Sequence, residues 1–287
     1  MRDQVEYLRA RDLQAAVTAL ANAPRKILAG GTDIFPALQD RALTGRVLDI
    51  SGIAELAQIE CRDGFWIIGA TASWRDTIKA DLPAAFDALK AAAREVGSVQ
   101  IQNRATLAGN LCNASPAADG VPPLLVLDAE VAVSSLSGCR YLPLSDFILG
   151  NRKTALAEGE MVSAIRVPVA SSRGMSGFLK LGARRYLVIS IAMVAARIET
   201  DDAGRITTAA VAVGACSEVA TRLPAVEAAL IGHRCAEAPS LLNDSHFAML
   251  TPIDDVRAGA AYRQSAARDA VGRLLCEMAS SSPGGSA

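Results

Sequence analysis

The chain has 287 residues, a formal net charge of −1, and 51% hydrophobic against 21% charged residues. That length calls for two domains rather than one small core, and the composition belongs to a globular chain, not a disordered one. A charge so near zero gives no electrostatic reason to expect nucleic acid or an acidic membrane surface, so any polyanion must be met by local geometry.

The opening stretch, MRDQVEYLRARDLQ, mixes both charge signs with apolar residues and lacks the apolar core of a secretory signal. Leu13, Ala16, Val17 and Leu20 follow the spacing of a helix facing a core, closed by Pro24. KIL at 26–28 reads as a short strand feeding the turn AGGT, and DIFPALQ after it as the start of a helix. RVLDI (46–50) and FWIIGA (65–70) read as buried strands, the second preceded by an Asp63–Gly64 hairpin turn. AAFDALKAAAREVG (84–97) is helical in composition, with Gly97 as its left-handed stop. AEVAVSS (129–135) and CRYLPL pair across Ser137–Gly138, and EMVSAIRVP (160–168) adds a strand before Pro168.

The small, polar segment ASSRGMSG (170–177) marks a domain boundary. Beyond it FLKLGA, SIAMVAARIE and ITTAAVAVGAC read as an antiparallel meander, the last two joined by TDDAGR at 200–205. Residues 221–232 and 256–279 are helical in period, and SSSPGGSA is a frayed tail. The longest apolar run, LVISIAMVAA at 187–196, is half of the roughly 20 residues that span a bilayer. A cytoplasmic protein without membrane insertion is expected.

Six cysteines, at 61, 112, 139, 216, 235 and 276, form no CxxC pair, which argues against a disulfide framework and against zinc or iron–sulfur ligation. Most are expected to be small buried apolar residues. His233 and His246 stand alone, so no metal site and no catalytic residue is assigned.

Two glycine-bearing segments carry the chemistry: ILAGGTDI at 27–34 and TLAGN at 106–110, the latter opening TLAGNLCNASPAAD. A phosphate held by main-chain N–H groups needs those groups to converge without a β-carbon in the way, and a diphosphate asks for this twice. Paired glycines also build ordinary tight turns, so by chemistry alone the pair is not decisive. No GxxxxGK[ST], no GxGxxG and no GxSxG is present, so a dinucleotide would have to bind between subdomains by another scheme.

AGGTDI, TLAGNLCNASPAAD, FLKLGARR (178–185) and AYRQSAARDAVGRLL (261–275) together resemble the FAD-binding medium subunit of the molybdenum hydroxylases, the xanthine dehydrogenase and carbon monoxide dehydrogenase family. The resemblance implies an α+β fold: a two-subdomain FAD-binding domain of the PCMH or vanillyl alcohol oxidase type over residues 1–170, with subdomains near 1–55 and 56–170. A C-terminal α+β domain with a three-stranded antiparallel sheet and helices would follow over 175–280. It also implies FAD in this chain, gripped by Ile27, Leu28, Ala29, Gly30, Gly31, Thr32, Asp33 and Ile34 from one loop and Thr106, Leu107, Ala108, Gly109 and Asn110 from the other.

Asp119 matches an acid near the adenosine end of the cofactor, Val162 an apolar wall residue, and Lys180 a lysine reaching the flavin. Partners implied are a small subunit with [2Fe-2S] clusters and a large molybdopterin subunit, in a dimer of heterotrimers that passes electrons through FAD to an external acceptor. The chain departs from the pattern at Ala108, where the family usually has glycine, and near position 188, where many relatives carry an acid. A self-sufficient flavin oxidase of the vanillyl alcohol oxidase type, or a nucleotide-binding module without a redox role, are the other readings that these residues allow.

Overall fold

The computed structural model describes residues 5–184 and 189–281 and arranges them around three main sheets. The departure at position 188 lies outside the described residues, as do the tail from 282 and the first four residues.

The first sheet is parallel. Strands β1 (Glu6–Arg9), β2 (Lys26–Leu28) and β3 (Arg46–Asp49) lie in the order β1-β3-β2. Helix α1 (Leu13–Asn22) connects the first two, its N-terminus capped by Asp12, whose carboxylate accepts from the Ala15 amide at 2.7 Å. Its Ala16, Val17 and Leu20 pack on Leu48, Ile50, Ile53 and Leu56. Helix α2 (Ile34–Leu38) follows the β2 turn.

The second sheet is antiparallel, built from β4 (Ile59–Arg62), β5 (Phe65–Gly69), β6 (Glu130–Ser135), β7 (Gly138–Pro143) and β10 (Met161–Pro168), in the order β4-β5-β10-β6-β7. The expected turn at Asp63 and Gly64 joins β4 to β5, with both residues at positive φ as such a two-residue hairpin requires. Between β5 and β6 run α3 (Trp74–Lys79), α4 (Asp87–Glu95), α5 (Val99–Gln102), α6 (Leu107–Asn113) and α7 (Val121–Val126). Gly97 follows α4 at φ +51, the left-handed stop read from the sequence. Trp74, Phe86, Leu89, Leu107, Leu111 and Leu124 from this helical layer bury fully against the sheet. Helix α8 (Leu144–Phe147) and a small hairpin, β8 (Ile148–Gly150) with β9 (Lys153–Thr154), lead into β10.

The third sheet is the expected meander, β11 (Met175–Leu181), β12 (Ala192–Thr200) and β13 (Ile206–Gly214), extended by the two-residue β14 (Thr221–Arg222). Its side chains alternate between two cores, as a strand's period of two demands. Ala192, Val194, Ala196 and Ile198 face α9 (Pro224–Leu230), α10 (Ala238–Leu241) and the long α11 (Ala260–Ser281), whereas Ala195, Ala210 and Ala212 pack into the core of the second sheet. Two buried arginines lock these layers. Arg197 donates to the Val126 carbonyl at 2.8 Å, and Arg263 donates to the carbonyls of Ile191 and Ala215 at 2.7 and 2.9 Å.

The cysteines differ from expectation. Only Cys216 and Cys235 are buried, while Cys61, Cys112 and Cys139 are exposed. The three exposed ones lie on β4, α6 and β7, and on α6 the Cys112 thiol is nonetheless enclosed enough that burial pushes it up to about 12. None of the described cysteines forms a disulfide.

Candidate cofactor site

Strand β2 ends at the buried Leu28, and the chain then turns at two glycines that are required for different reasons. A β-carbon on Gly30 would overlap the carbonyl oxygen of Arg104, so the turn packs directly on the segment before α6. Gly31 has φ +75, a left-handed conformation that costs other residues energy. Asp33 stands at the N-cap of α2 but makes no capping bond there. Among the described residues, the main-chain amides of Gly30, Gly31, Thr32, Asp33 and Ile34 donate to no other protein group. Five successive unspent donors around a left-handed residue are what a main-chain anion site requires.

The second segment is not a loop but the first turn of α6. Thr106 is its N-cap, and its hydroxyl accepts from the Gly109 amide at 3.0 Å. The Leu107 amide reaches the Ala72 carbonyl at 3.4 Å, which leaves the Ala108 amide as the free donor of this turn. Ala108 is helical and buried in the core, so alanine in place of glycine imposes no backbone cost. The Asn110 side chain accepts from the Gly120 amide at 3.1 Å and holds α6 against α7. Beside it stands the N-terminus of α3, closed by a capping box between Ser73 and Asp76, and Ser73 bridges to Thr106. Two helix N-termini therefore lie side by side next to the Gly30 turn.

Between them opens a cavity of about 380 Å³ lined by Ala29, Gly30, Ser51, Thr71, Asn103 and Thr106, with Arg75, Lys79 and Arg104 adding three cations against the one carboxylate of Asp76. The buried Thr71 hydroxyl has no hydrogen-bond partner among the described residues. A polar, cationic cleft adjoining unspent amides fits a dinucleotide with its diphosphate on the main chain. Sequence reasoning did not single out Arg75, Lys79 or Thr71. The box Ser73-Trp74-Arg75-Asp76 was the available signal, since Ser/Thr followed three residues on by an acid marks a helix N-terminus.

Asp119, Val162 and Lys180 do not line this cavity. Asp119 and Lys180 meet each other at 3.0 Å, both largely buried, and Ser190 donates to the same carboxylate at 3.3 Å. Burial pushes the Asp119 carboxyl above its ordinary value, and the Lys180 charge opposes that rise. Val162 lies on β10 inside the core of the second sheet, at an irregularity of its pairing with β6. The two histidines lie on other elements: His233 contacts Glu237 at 3.1 Å, and His246 accepts from the Asn243 amide.

Comparison with known proteins covers both parts of the chain. The model of the FAD binding domain in molybdopterin dehydrogenase matches residues 3–170, and that of the CO dehydrogenase flavoprotein C-terminal domain matches residues 178–278. The chain is 32% identical over 216 residues to the FAD-subunit of nicotinate dehydrogenase from Eubacterium barkeri, 74% of this chain and 73% of that one. Among solved structures it superposes on a chain of quinoline 2-oxidoreductase from Pseudomonas putida 86 with a TM-score of 0.84 at 25% identity, covering 98% of this chain and 99% of that one. A chain of carbon monoxide dehydrogenase from Hydrogenophaga pseudoflava gives 0.83 at 26% identity, with 96% and 97% covered.

Proposed function

This chain belongs to the FAD-binding medium subunits of the molybdenum hydroxylases, and we propose that it carries FAD across the cleft at the Gly30–Gly31 turn and relays electrons from a partner's [2Fe-2S] clusters to an external acceptor. When bound, FAD supplies chemistry that accepts electrons singly and releases them in pairs. The observation that carries the reading is the run of unspent amides from Gly30 to Ile34, reinforced by the free Ala108 amide and the cations of the adjoining cavity.

Ile27 to Ile34 and Thr106 to Asn110 would hold the diphosphate: Gly31 shapes the turn, Thr32 adds a hydroxyl, and the α6 N-terminus faces the negative charge. Leu28, Leu107 and Ala108 act through packing, because their side chains face the core. Asp119 and Lys180 would serve one end of the cofactor together. The resemblance gives Asp119 to the adenosine end and Lys180 to the flavin, and their 3.0 Å ion pair supports a reading in which the two act as a unit. Val162 would back the site from the core rather than touch the cofactor.

Residues 1–170, with subdomains meeting near 55, would form the FAD-binding domain, and 175–280 the C-terminal one. The partners would be a small [2Fe-2S] subunit and a large molybdopterin subunit in a dimer of heterotrimers. No helix among the described residues is long and apolar enough to cross a membrane.

The test is native purification of the full chain followed by an absorbance spectrum and a metal and pterin count. Flavin near one per chain, with iron and molybdenum in co-purifying subunits, is expected. A colourless protein that takes up no added FAD would refute the reading.

A further inference from the structure

We infer that Arg152, at the tip of the β8–β9 hairpin, is a cofactor-facing cation that compensates negative charge on the bound dinucleotide. The inference rests on the FAD reading above but concerns a residue outside both glycine segments.

Two contacts fasten the tip. The Arg152 amide donates to the Ala114 carbonyl at 2.9 Å and the Asn151 amide approaches Glu218 at 3.4 Å, and Gly150 leaves room for that carboxylate, which a β-carbon there would displace. Arg152 itself has φ +56 and Ala114, the residue that caps the end of α6, has φ +47. Two non-glycine residues in the left-handed region, bonded to each other, are a conformation that persists only where the surroundings enforce it. What they achieve is delivery of one guanidinium to the space between the start of α2, in the first cofactor segment, and the C-terminal end of α6. It donates to the Asn113 side chain at 3.0 Å, at the last residue of α6, and stands 3.8 Å from Asp33 at the start of α2.

A purely structural role does not account for this placement. Arg152 and Asp33 are 68% and 58% exposed, and an ion pair that long and that wet contributes little. Guanidinium offers five N–H donors, and the Asn113 bond occupies one of them. The rest are available beside the unspent amides of Gly30 to Ile34. Asp33 places a carboxylate next to an anion site, the exposed pair at 3.8 Å offsets it only in small part, and the remaining Arg152 donors are what the ligand's own charge would engage.

The anionic group has two sources, the diphosphate or the reduced isoalloxazine, and one experiment separates them. The full-length chain is stripped of flavin and titrated with FAD and with ADP as wild type, Arg152→Met and Arg152→Lys, and the flavin potential of each reconstituted form is measured. For diphosphate contact, Arg152→Met weakens FAD and ADP in parallel by about ten-fold, with the potential unchanged. For contact with the reduced ring, ADP binding stays and the potential falls. In either case Arg152→Lys recovers most of the loss, which a merely structural defect would not. Unchanged FAD affinity together with unchanged potential in Arg152→Met, at wild-type folding by circular dichroism, overturns the inference and leaves the FAD reading standing. Wild-type protein that binds no FAD overturns both.

Discussion

At the scale of single residues, the Asp119–Lys180 pair changes what a lysine near a flavin can do. A lone ammonium beside an isoalloxazine favours its negatively charged reduced form and raises its potential. Here a buried carboxylate 3.0 Å away offsets that field, and burial already raises the Asp119 carboxyl. Two substitutions should therefore act in opposite directions. Lys180→Met lowers the flavin potential only modestly, because Asp119, stripped of its partner, takes up a proton. Asp119→Asn releases the lysine charge and raises the potential. Spectroelectrochemical titration of both variants checks this, and equal potentials in the two would remove the pair from the cofactor's neighbourhood. Ala108 teaches the complementary lesson. Its place in a helix, with the side chain in the core, makes glycine unnecessary there.

Between elements, the decisive contact is the β2 turn resting on the segment before α6. Gly30 is glycine because protein backbone, not ligand, occupies the place of its β-carbon. Gly30→Ala must push two segments apart, so a loss of about 1–3 kcal/mol is expected in urea unfolding, along with weakened FAD uptake. Gly31→Ala pays a backbone cost of roughly 1–2 kcal/mol for its positive φ. Its side chain would overlap the exposed Phe35 ring, which can move, and press at 3.3 Å on the buried Leu28. A Gly30→Ala protein as stable as wild type would contradict the packing argument. The neighbouring N-termini of α3 and α6 show the same interdependence, since Ser73 and Thr106 bridge each other while each caps its own helix.

For the molecule as a whole, the third sheet shares one face with the core of the second sheet, Arg197 joins it to α7 through the Val126 carbonyl, and within the C-terminal part Arg263 on α11 ties Ile191, Ala215 and Asp255 together. Asp255 accepts from the Arg257 and Ala258 amides and from Arg263, and these bonds, led by that from the Arg257 amide, hold its carboxyl down from 3.8 to about 2. A depressed carboxyl contributes stability that is fully present above its unfolded value and is lost as pH falls through the folded one. Asp255→Asn should thus be less stable than wild type at pH 7, by a gap that holds down to about pH 4 and closes between pH 4 and 2. A gap independent of pH would remove the ionised carboxylate from the argument.

Periodicity and turn chemistry made KIL, the Asp63–Gly64 hairpin, the Gly97 stop and the C-terminal meander legible along the chain, because each depends on interactions within a few residues. The glycine pair and its family resemblance were legible for the same reason. That Gly30 answers to Arg104, that Lys180 meets Asp119 and that Arg152 stands between Asp33 and Asn113 were decided only by the tertiary structure. Each of those contacts joins residues dozens of positions apart, and only the packing of three sheets sets their distances.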